Sequence, residues 1–449
     1  MANGQELAEQ NAQSYEFSLN LRPNLPRSMK FQGYFLPLLL LAAPALQGCD
    51  DDTPDVPAGE GVPARRTVLI YMSAQNSLDY YSYKAADLQE ILEGRAYIPD
   101  EDRLLVFVDD GAPRLYRYTR QEAAPQTVRT WTGDVCSTDP ATLRDVLEWT
   151  RNHYPAEEYG LVMWSHADGW IPATDTDYPT AISPYSFGID TGENSTASND
   201  GTQMEVDAMA DAIDAAGIRL KYIFFDACLM QNFEVAWSLR DVTDYVVGAP
   251  MSTPAAGSNY AHQLQQGFFS QDPADIAATY YADVTDPLQA IDYGSFGIVT
   301  SAVRTDRLEA VAAALRAALP YSSLTNRNSP DMSDVLNYQA YTPTYFYRPH
   351  NYDARQAVER VVPAGHREAV LQAIDNAVTY KAATESFYIG PGSIQNQQTV
   401  DLDDYAGISL FIPQQTYTDH ASDTELGDLN EAFRQTSWYE AAGWSVTGW

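Results

Sequence analysis

The chain has 449 residues, enough for one large domain with additions or for two domains. Hydrophobic residues make up 45% and charged residues 20%, which is typical of a globular protein and argues against disorder of the whole chain. Asp and Glu number 61 against 27 Lys and Arg, and the resulting net charge of −34 would repel nucleic acid. We therefore expect no nucleic-acid partner.

The N-terminal region predicts export and lipid attachment. Arg27 and Lys30 precede an apolar run over residues 36–45, which is too short to span a bilayer and has the layout of a secretory signal. The run leads into Leu-Gln-Gly-Cys, which ends at Cys49. This sequence resembles the bacterial lipobox, whose cysteine is acylated and becomes the mature N-terminus. An ordinary signal peptide with a chance cysteine is the alternative, and Met29 is a candidate for the true start.

An acidic run, residues 50–52, follows Cys49 directly. It resembles the surface-export signal of Bacteroidetes-type lipoproteins, and a solvated linker is the alternative. We expect residues 1–49 to form the signal and lipidation region. Residues 50–64, rich in Asp, Pro, Gly and Ala, should form a flexible tether. The expected location is the outer membrane of the cell envelope, with exposure at the cell surface.

Apolar runs alternate with helical patterns between residues 65 and 300. The runs that predict buried strands are residues 67–72, 103–108, 161–164, 221–225 and 244–247. The patterns that predict helices are residues 78–92, 142–152 and 206–216. Residues 115–118 alternate, as an edge strand would. Together these patterns predict an α/β fold with a mostly parallel central sheet flanked by helices.

Residues 301–449 have a more helical pattern. Residues 308–319 and 367–382 have amphipathic helical spacing, and residues 408–412 form a late apolar run that predicts a strand. We therefore expect this half to be a mainly helical C-terminal subdomain packed on the sheet.

Two polar motifs follow neighbouring predicted strands. Ser-His-Ala-Asp-Gly-Trp occupies residues 165–170, and Asp-Ala-Cys occupies residues 226–228. Active sites of parallel sheets lie beyond the carboxyl ends of the strands. A thiol needs a base nearby to become a thiolate near neutral pH, so the motifs predict Cys228 as nucleophile and His166 as its base. For each residue alone, a packed core cysteine or a hydrogen-bonded structural histidine is the alternative.

The same loops carry candidate supporting groups. The backbone N–H groups of Ala167 and Cys228 are candidates for an oxyanion hole, because donors at loop tips can point at developing charge. Gly169 would allow a tight turn. Trp170 is predicted to shape or cover the substrate pocket.

Four segments of the chain resemble the clostripain family of cysteine peptidases, within the caspase-like superfamily. They are the opening strand and turn, the histidine motif, the cysteine motif and the late strand, at residues 68–78, 164–170, 225–236 and 406–413. The resemblance implies a caspase-like sandwich, with residues 65–300 as its catalytic core. It also implies hydrolysis of peptide bonds in polypeptide substrates by a dyad of His166 and Cys228.

The resemblance leaves the residue preference open. Asp226 matches an acidic residue near the family's specificity pocket, which in relatives favours a basic residue before the scissile bond. A structural carboxylate that accepts loop N–H groups is the alternative. Residues 248–257 contain no carboxylate where basic-specific relatives carry one. Burial of a substrate Arg or Lys without a charge partner is energetically unfavourable. A small or uncharged preference therefore stands beside Arg or Lys, with Ser252 and Trp170 as further predicted substrate contacts.

No zinc or nucleotide motif occurs in the sequence, and no cofactor is expected. Some members of the family respond to calcium or are cut internally. Asp175, Asp177, Asp190 and Glu193 are candidates for calcium ligands or for a processing loop, with a solvated loop as the alternative. Cys136 lies far from both motifs and is interpreted as a structural or incidental free thiol.

One hypothesis from another class remains. A non-catalytic surface lipoprotein with the same fold could bind peptide or glycan, and the 30 tyrosines of the chain would suit stacking on carbohydrate. The presence of both His166 and Cys228 favours the peptidase.

Overall fold

The computed structural model describes residues 63–171, 186–287, 296–338, 340–341, 348–388, 397–419, 421 and 427–449. The strands in these ranges are β1 (Ala64–Ser73), β2 (Arg103–Asp109), β3 (Arg114–Tyr118), β4 (Gln126–Thr130), β5 (Ala156–Trp164), β6 (Phe187–Asp190), β7 (Thr202–Met204), β8 (Leu220–Asp226), β9 (Tyr245–Gly248), β10 (Val299–Arg304), β11 (Ala340–Tyr341), β12 (Arg348–Pro349), β13 (Tyr352–Asp353), β14 (Val378–Ala383), β15 (Ser386–Tyr388), β16 (Gln397–Thr399) and β17 (Ser409–Leu410).

The helices of the same ranges are mostly short. They are α1 (Ser77–Tyr80), α2 (Tyr83–Gly94), α3 (Pro140–His153), α4 (Val206–Ala215), α5 (Phe233–Ser238), α6 (Tyr260–His262), α7 (Ala274–Thr285), α8 (Leu308–Ala318), α9 (Ala354–Val361), α10 (Ala364–Ala377), α11 (Gln415–Asp419), α12 (Leu429–Arg434) and α13 (Ser437–Ala441). The chain continues from α6 as a π-helical turn, Gln263–Gly267.

Within the described ranges, nine of these strands form one central sheet in the order β14-β10-β9-β8-β5-β1-β2-β3-β4. The five inner strands, from β9 to β2, are parallel to one another. Antiparallel strands close both ends, β10 and β14 on one side and β3 and β4 on the other. Parallel strands must return through crossovers, which places helices on the two faces of the sheet.

Each face of the sheet has its own hydrophobic core, because successive side chains of a strand point to opposite faces. Leu69 and Tyr71 of β1 belong to the face covered by α3, α4 and α8. Val68 and Ile70 of the same strand belong to the opposite face, which is covered by α2 and α7. The predicted α/β sandwich with a mostly parallel central sheet is therefore confirmed.

Two predicted elements in the first half differ from the structure. The helix predicted over residues 78–92 is two helices, α1 and α2, because the backbone turns at Ser82 with a φ of 69°. Strand β3 is not an edge strand: it pairs with β2 and also with β4, which forms the edge.

The second half contributes strands to the sheet that helical spacing did not indicate. The predicted helix over residues 367–382 ends at Ala377, and the chain continues as β14, antiparallel to β10. The predicted boundary between residues 300 and 301 falls inside β10, so both halves of the chain build the sheet. The late strand is short and pairs with β13 outside the central sheet.

No helix of the described ranges has both the length and the apolar character needed to cross a membrane. The predicted signal, Cys49 and most of the predicted tether lie outside the described residues.

Candidate active site

His166 and Cys228 occupy equivalent positions beyond two neighbouring parallel strands. In the register of β5 and β8, Trp164 is paired with Asp226. His166 lies two residues after Trp164, and Cys228 lies two residues after Asp226. Both therefore lie at the carboxyl edge of the sheet, where the general rule for parallel sheets places a site.

The imidazole of His166 is held by a serine on the neighbouring turn. Its Nε2 atom lies 3.0 Å from the hydroxyl oxygen of Ser77, the first residue of α1. The carbonyl oxygen of His166 accepts a 2.8 Å hydrogen bond from the backbone of Gly188 in β6. Burial lowers the pKa of His166 to about 4, because a charged imidazolium loses hydration there. The imidazole is therefore neutral at neutral pH.

The thiol of Cys228 is held by the loop that follows β9. The backbone N–H of Thr253 donates to Sγ at 3.3 Å, and the Thr253 hydroxyl lies 3.6 Å from the same atom. Burial raises the pKa of the Cys228 thiol, the contacts with Thr253 oppose the rise, and the charges of Asp168 and Asp226 add to it. The resting thiol is therefore protonated at neutral pH.

No hydrogen bond joins the thiol to the imidazole in the part of the chain that the structure describes. Both groups are neutral and each has its own partner, so the resting site holds no thiolate–imidazolium pair. A thiolate at Cys228 must form when a substrate arrives and the proton has an acceptor.

A sharp turn presents Cys228 at the loop tip. Leu229, the next residue, has a φ of 64°, which is a strained conformation for a residue with a side chain. Asn232 fastens this turn: its side-chain nitrogen donates to the carbonyl of Leu229 at 2.8 Å, and its oxygen caps α5 through Val235 at 2.7 Å. The side chain that caps α5 therefore also stabilises the strained turn at Leu229.

Gln231 ties the cysteine loop to the sheet. Its side-chain nitrogen donates to the hydroxyl of Ser301 in β10 at 3.0 Å. Its backbone N–H donates to Ala249 at 3.2 Å, and its carbonyl accepts from Ser409 of β17 at 3.0 Å. Strands from the second half of the chain therefore fix the loop that carries Cys228.

The two predicted oxyanion donors have no acceptor among the described residues. The backbone N–H groups next to them are in use, since Asp168 donates to Ser186 and Leu229 donates to Met251. The N–H groups of Ala167 and Cys228 themselves make no hydrogen bond within the described ranges. They are available to a developing negative charge.

Asp226 is a buried carboxylate that fastens the loop after β9. It is 5% exposed and accepts hydrogen bonds from the backbone of Ser258 at 3.1 Å and from the hydroxyl of Tyr260 at 3.0 Å. Gly257 lies against it, and a β-carbon there would come within 2.7 Å of its oxygen. Burial raises the pKa of Asp226 to about 6. This geometry matches the alternative of a structural carboxylate.

The prediction that Trp170 contacts substrate needs correction. Its side chain is 6% exposed and packs edge-on against Phe411 and Phe433, with ring centroids at 5.0 and 5.7 Å. The ring therefore anchors the histidine loop to the C-terminal segment. Ser252 is half-buried in the loop after β9, next to the Thr253 that contacts the thiol.

The structure describes two of the four candidate calcium ligands, Asp190 and Glu193. Asp175 and Asp177 lie outside the described residues. The carboxylate of Asp190 accepts hydrogen bonds from the backbone N–H and hydroxyl of Ser137 and from the backbone N–H of Gly192. It therefore stabilises the local turn. The described ranges hold no group of three His, Cys, Asp or Glu residues that could bind a metal ion.

Sequence reasoning missed Ser77 and Thr253, the partners of the two central side chains. Ser77 lies inside the opening motif, but nothing in its spacing connects it with a histidine almost ninety residues away. The contact exists because β1 and β5 are neighbours in the sheet.

A half-buried thiol and imidazole at adjacent strand ends of such a sheet are typical of caspase-like cysteine peptidases. The family model of the clostripain family matches residues 70–447. The chain belongs to the clostripain family, and it is a cysteine peptidase that acts on polypeptides.

Solved structures agree with this assignment. A secreted C11 cysteine protease from Bacteroides thetaiotaomicron, bound to an irreversible peptide inhibitor, has 26% identity and a TM-score of 0.68 over 85% of this chain and 99% of its own. An inactive zymogen C11 protease from Parabacteroides distasonis has 25% identity and a TM-score of 0.66 over 85% and 99%. No curated protein sequence matches the chain.

Proposed function

We propose that the chain is a lipid-anchored cysteine endopeptidase of the cell envelope, with Cys228 as nucleophile and His166 as proton carrier. The observation that carries this proposal is that His166 and Cys228 each lie two residues after the paired ends of the neighbouring strands β5 and β8. The match to the clostripain family supports the reaction class.

The neutral resting pair favours proton transfer during attack. As Sγ of Cys228 bonds to the carbonyl carbon of the substrate, its proton passes to the imidazole of His166. The carbonyl oxygen becomes an oxyanion, which the free N–H groups of Ala167 and Cys228 can stabilise. The imidazolium then protonates the departing amine, and a thioester remains.

Water completes the cycle. It attacks the thioester carbon while the neutral imidazole of His166 accepts its proton, and the carboxylic acid product departs. Sγ leaves as a thiolate and recovers its proton from the imidazolium, which returns both groups to their neutral resting forms. These proposed reaction steps require no metal or cofactor.

We propose a preference for an uncharged residue before the scissile bond. Both oxygens of Asp226 already accept hydrogen bonds from Ser258 and Tyr260, and residues 248–257 supply no other carboxylate. An Arg or Lys side chain of the substrate would find no free charge partner in this loop, and a desolvated cation without one is unfavourable. Ser252 is the residue of the loop that we assign to the substrate.

The proposed anchor rests on the sequence around Cys49. Acylation of this cysteine would attach the peptidase to the outer membrane, and the acidic residues 50–52 favour display at the cell surface. The test is metabolic labelling with a tagged fatty acid. Label in the wild type and none in Cys49→Ala supports the anchor, and equal label in both rejects it.

A fluorogenic peptide library tests the catalytic proposal. The purified full chain is compared with Cys228→Ala, His166→Ala and the control Cys136→Ala, which removes the other half-buried thiol of the described chain. We expect the first two variants to lose at least about 10³-fold in kcat/KM and the control to keep full activity.

The library also distinguishes the peptidase from the binding-protein hypothesis. If no peptide is cut by the wild type, with calcium present and after limited proteolysis, the chain binds rather than cleaves. Cleavage that survives in Cys228→Ala would reject the proposed nucleophile.

A further inference from the structure

We propose that Ser77 is a positioning residue for the reaction: its hydroxyl accepts the Nε2–H of His166 and leaves Nδ1 to exchange protons with Cys228 and the substrate. This inference rests on the proposed function of His166. The contact that carries it is the 3.0 Å approach of the Ser77 hydroxyl to Nε2. Ser77 is 3% exposed, so water does not compete freely for the same nitrogen.

The backbone that carries Ser77 is held in place by its neighbours. Asn76 is fully buried, and its side-chain nitrogen donates to the carbonyls of Ser73 and Ile189, both at 2.9 Å. Its side-chain oxygen accepts from Leu78 at 3.0 Å and so caps α1. The backbone N–H of Ser77 donates to Asn199 at 3.2 Å. Ser77 is therefore fixed from both sides along the chain.

The direction of the hydrogen bond has a chemical consequence. A neutral imidazole carries one N–H, and the nitrogen that donates to Ser77 cannot be the one that takes a proton from the thiol. If Ser77 accepts from Nε2, the lone pair of Nδ1 is available to the thiol. The same acceptor also stabilises the imidazolium formed during attack, where burial disfavours its charge.

Histidine in the other tautomer would be a poor base here. With the proton on Nδ1 and Nε2 occupied by the Ser77 hydroxyl, the imidazole would have no free lone pair to accept the proton of the thiol. Ser77 thus has the role that a carboxylate or carbonyl has in other nucleophile–base pairs, in which a third group orients the base.

The test compares Ser77→Ala with Ser77→Thr, which keeps a hydroxyl. Ser322→Ala is the matched control, because it removes another buried serine hydroxyl, one that donates to the carbonyl of Leu319 in the second half of the chain. For Ser77→Ala we expect kcat to fall about 10- to 100-fold with KM within about 2-fold, and for the control no change. Ser77→Thr should recover part of the lost kcat.

A spectroscopic measurement keeps the inference falsifiable if either variant folds poorly. Nitrogen-15 NMR of histidine-labelled Cys228→Ala protein should show His166 as the Nε2–H tautomer. Adding Ser77→Ala should shift His166 toward a mixture of tautomers. Finding the Nδ1–H tautomer in the Cys228→Ala protein would overturn the inference.

The outcomes separate this inference from the proposed function. If Cys228→Ala still cleaves peptides, the proposed function fails. If Cys228→Ala is inactive and Ser77→Ala keeps a kcat within about 2-fold of the wild type, only the role of Ser77 fails.

Discussion

A β-carbon on Gly169 would lie 2.9 Å from the side-chain nitrogen of Asn232, so the histidine loop and the cysteine loop meet with no room for a methyl group. Gly169 also has a φ of 77°, which favours glycine. Asn232 caps α5 and holds the strained turn at Leu229. The close approach therefore connects the positions of His166 and Cys228.

Gly169→Ala should lower activity more than stability alone explains. Gly133→Ala is the matched control, since Gly133 has a φ of 82° and nothing within 4 Å of the added carbon. Both variants should lose about 1 kcal/mol or more from the left-handed backbone. Only Gly169→Ala should lower kcat, by at least about 10-fold, because it separates the loops. Equal kcat in the two variants would contradict this account.

Alkylation should report a protonated resting thiol. Burial raises the pKa of Cys228, so its reaction with iodoacetamide should be slow at pH 6 and should accelerate about 10-fold per pH unit through pH 8.5. The rate is measured by mass spectrometry in a Cys136→Ala background. His166→Ala should leave the curve within about 2-fold, because no ion pair exists to remove. Fast labelling that is constant between pH 5 and 8 would show a preformed thiolate.

Asp226→Asn should reduce stability and leave the residue preference unchanged. The backbone N–H of Ser258 contacts both carboxylate oxygens, so the amide NH2 that replaces one oxygen faces this donor and one hydrogen bond is lost. We expect a loss of about 1–3 kcal/mol in the free energy of unfolding. The ratio of kcat/KM for Arg and norleucine substrates should stay within about 2-fold. A selective loss of Arg cleavage by more than 10-fold would make Asp226 a substrate contact.

Glu234 should make stability depend on pH. It is 2% exposed and accepts from the backbone of Phe411 at 3.0 Å, and burial raises the pKa of its carboxyl from 4.5 to about 7. Between these values the folded chain holds a proton that the unfolded chain has released. The free energy of unfolding therefore falls as pH rises through that window.

Glu234→Gln should remove this contribution, because the amide oxygen still accepts from Phe411 and carries no charge. Measured by urea unfolding in a Cys228→Ala background, the stability of Glu234→Gln relative to its parent should rise between pH 4.5 and pH 8. The rise should be on the order of 2–3 kcal/mol. Glu309→Gln is the control, since the Glu309 side chain is 71% exposed. A parallel pH dependence in the variant and its parent would refute the assignment to Glu234.

Much of the sheet could be predicted from the sequence. The runs at residues 67–72, 103–108 and 221–225 are apolar after their first residue, and strands that are buried on both faces require such a continuous apolar pattern. The histidine and cysteine motifs directly follow such runs. Since parallel strands end at one edge, their juxtaposition followed from the predicted fold.

Other features depend on partners distant in sequence. Strand β14 has a helix-like pattern and becomes a strand because β10 offers it an unpaired edge. Trp170 looks like a pocket residue in its motif, but Phe411 and Phe433 surround it. An apolar ring packs wherever apolar surface is available, and a single sequence does not show which surface that will be.

The sequence by itself determined the class of the fold, the edge of the sheet that carries the candidate site, and the thiol and imidazole that lie at this edge. These follow from local patterns of hydrophobicity and from the geometry of parallel strands. The tertiary structure alone decided that Asp226 fastens a loop and that Ser77 holds His166. Hydrogen bonds between residues far apart in the chain form only after the sheet has brought their strands together, so no local pattern encodes them.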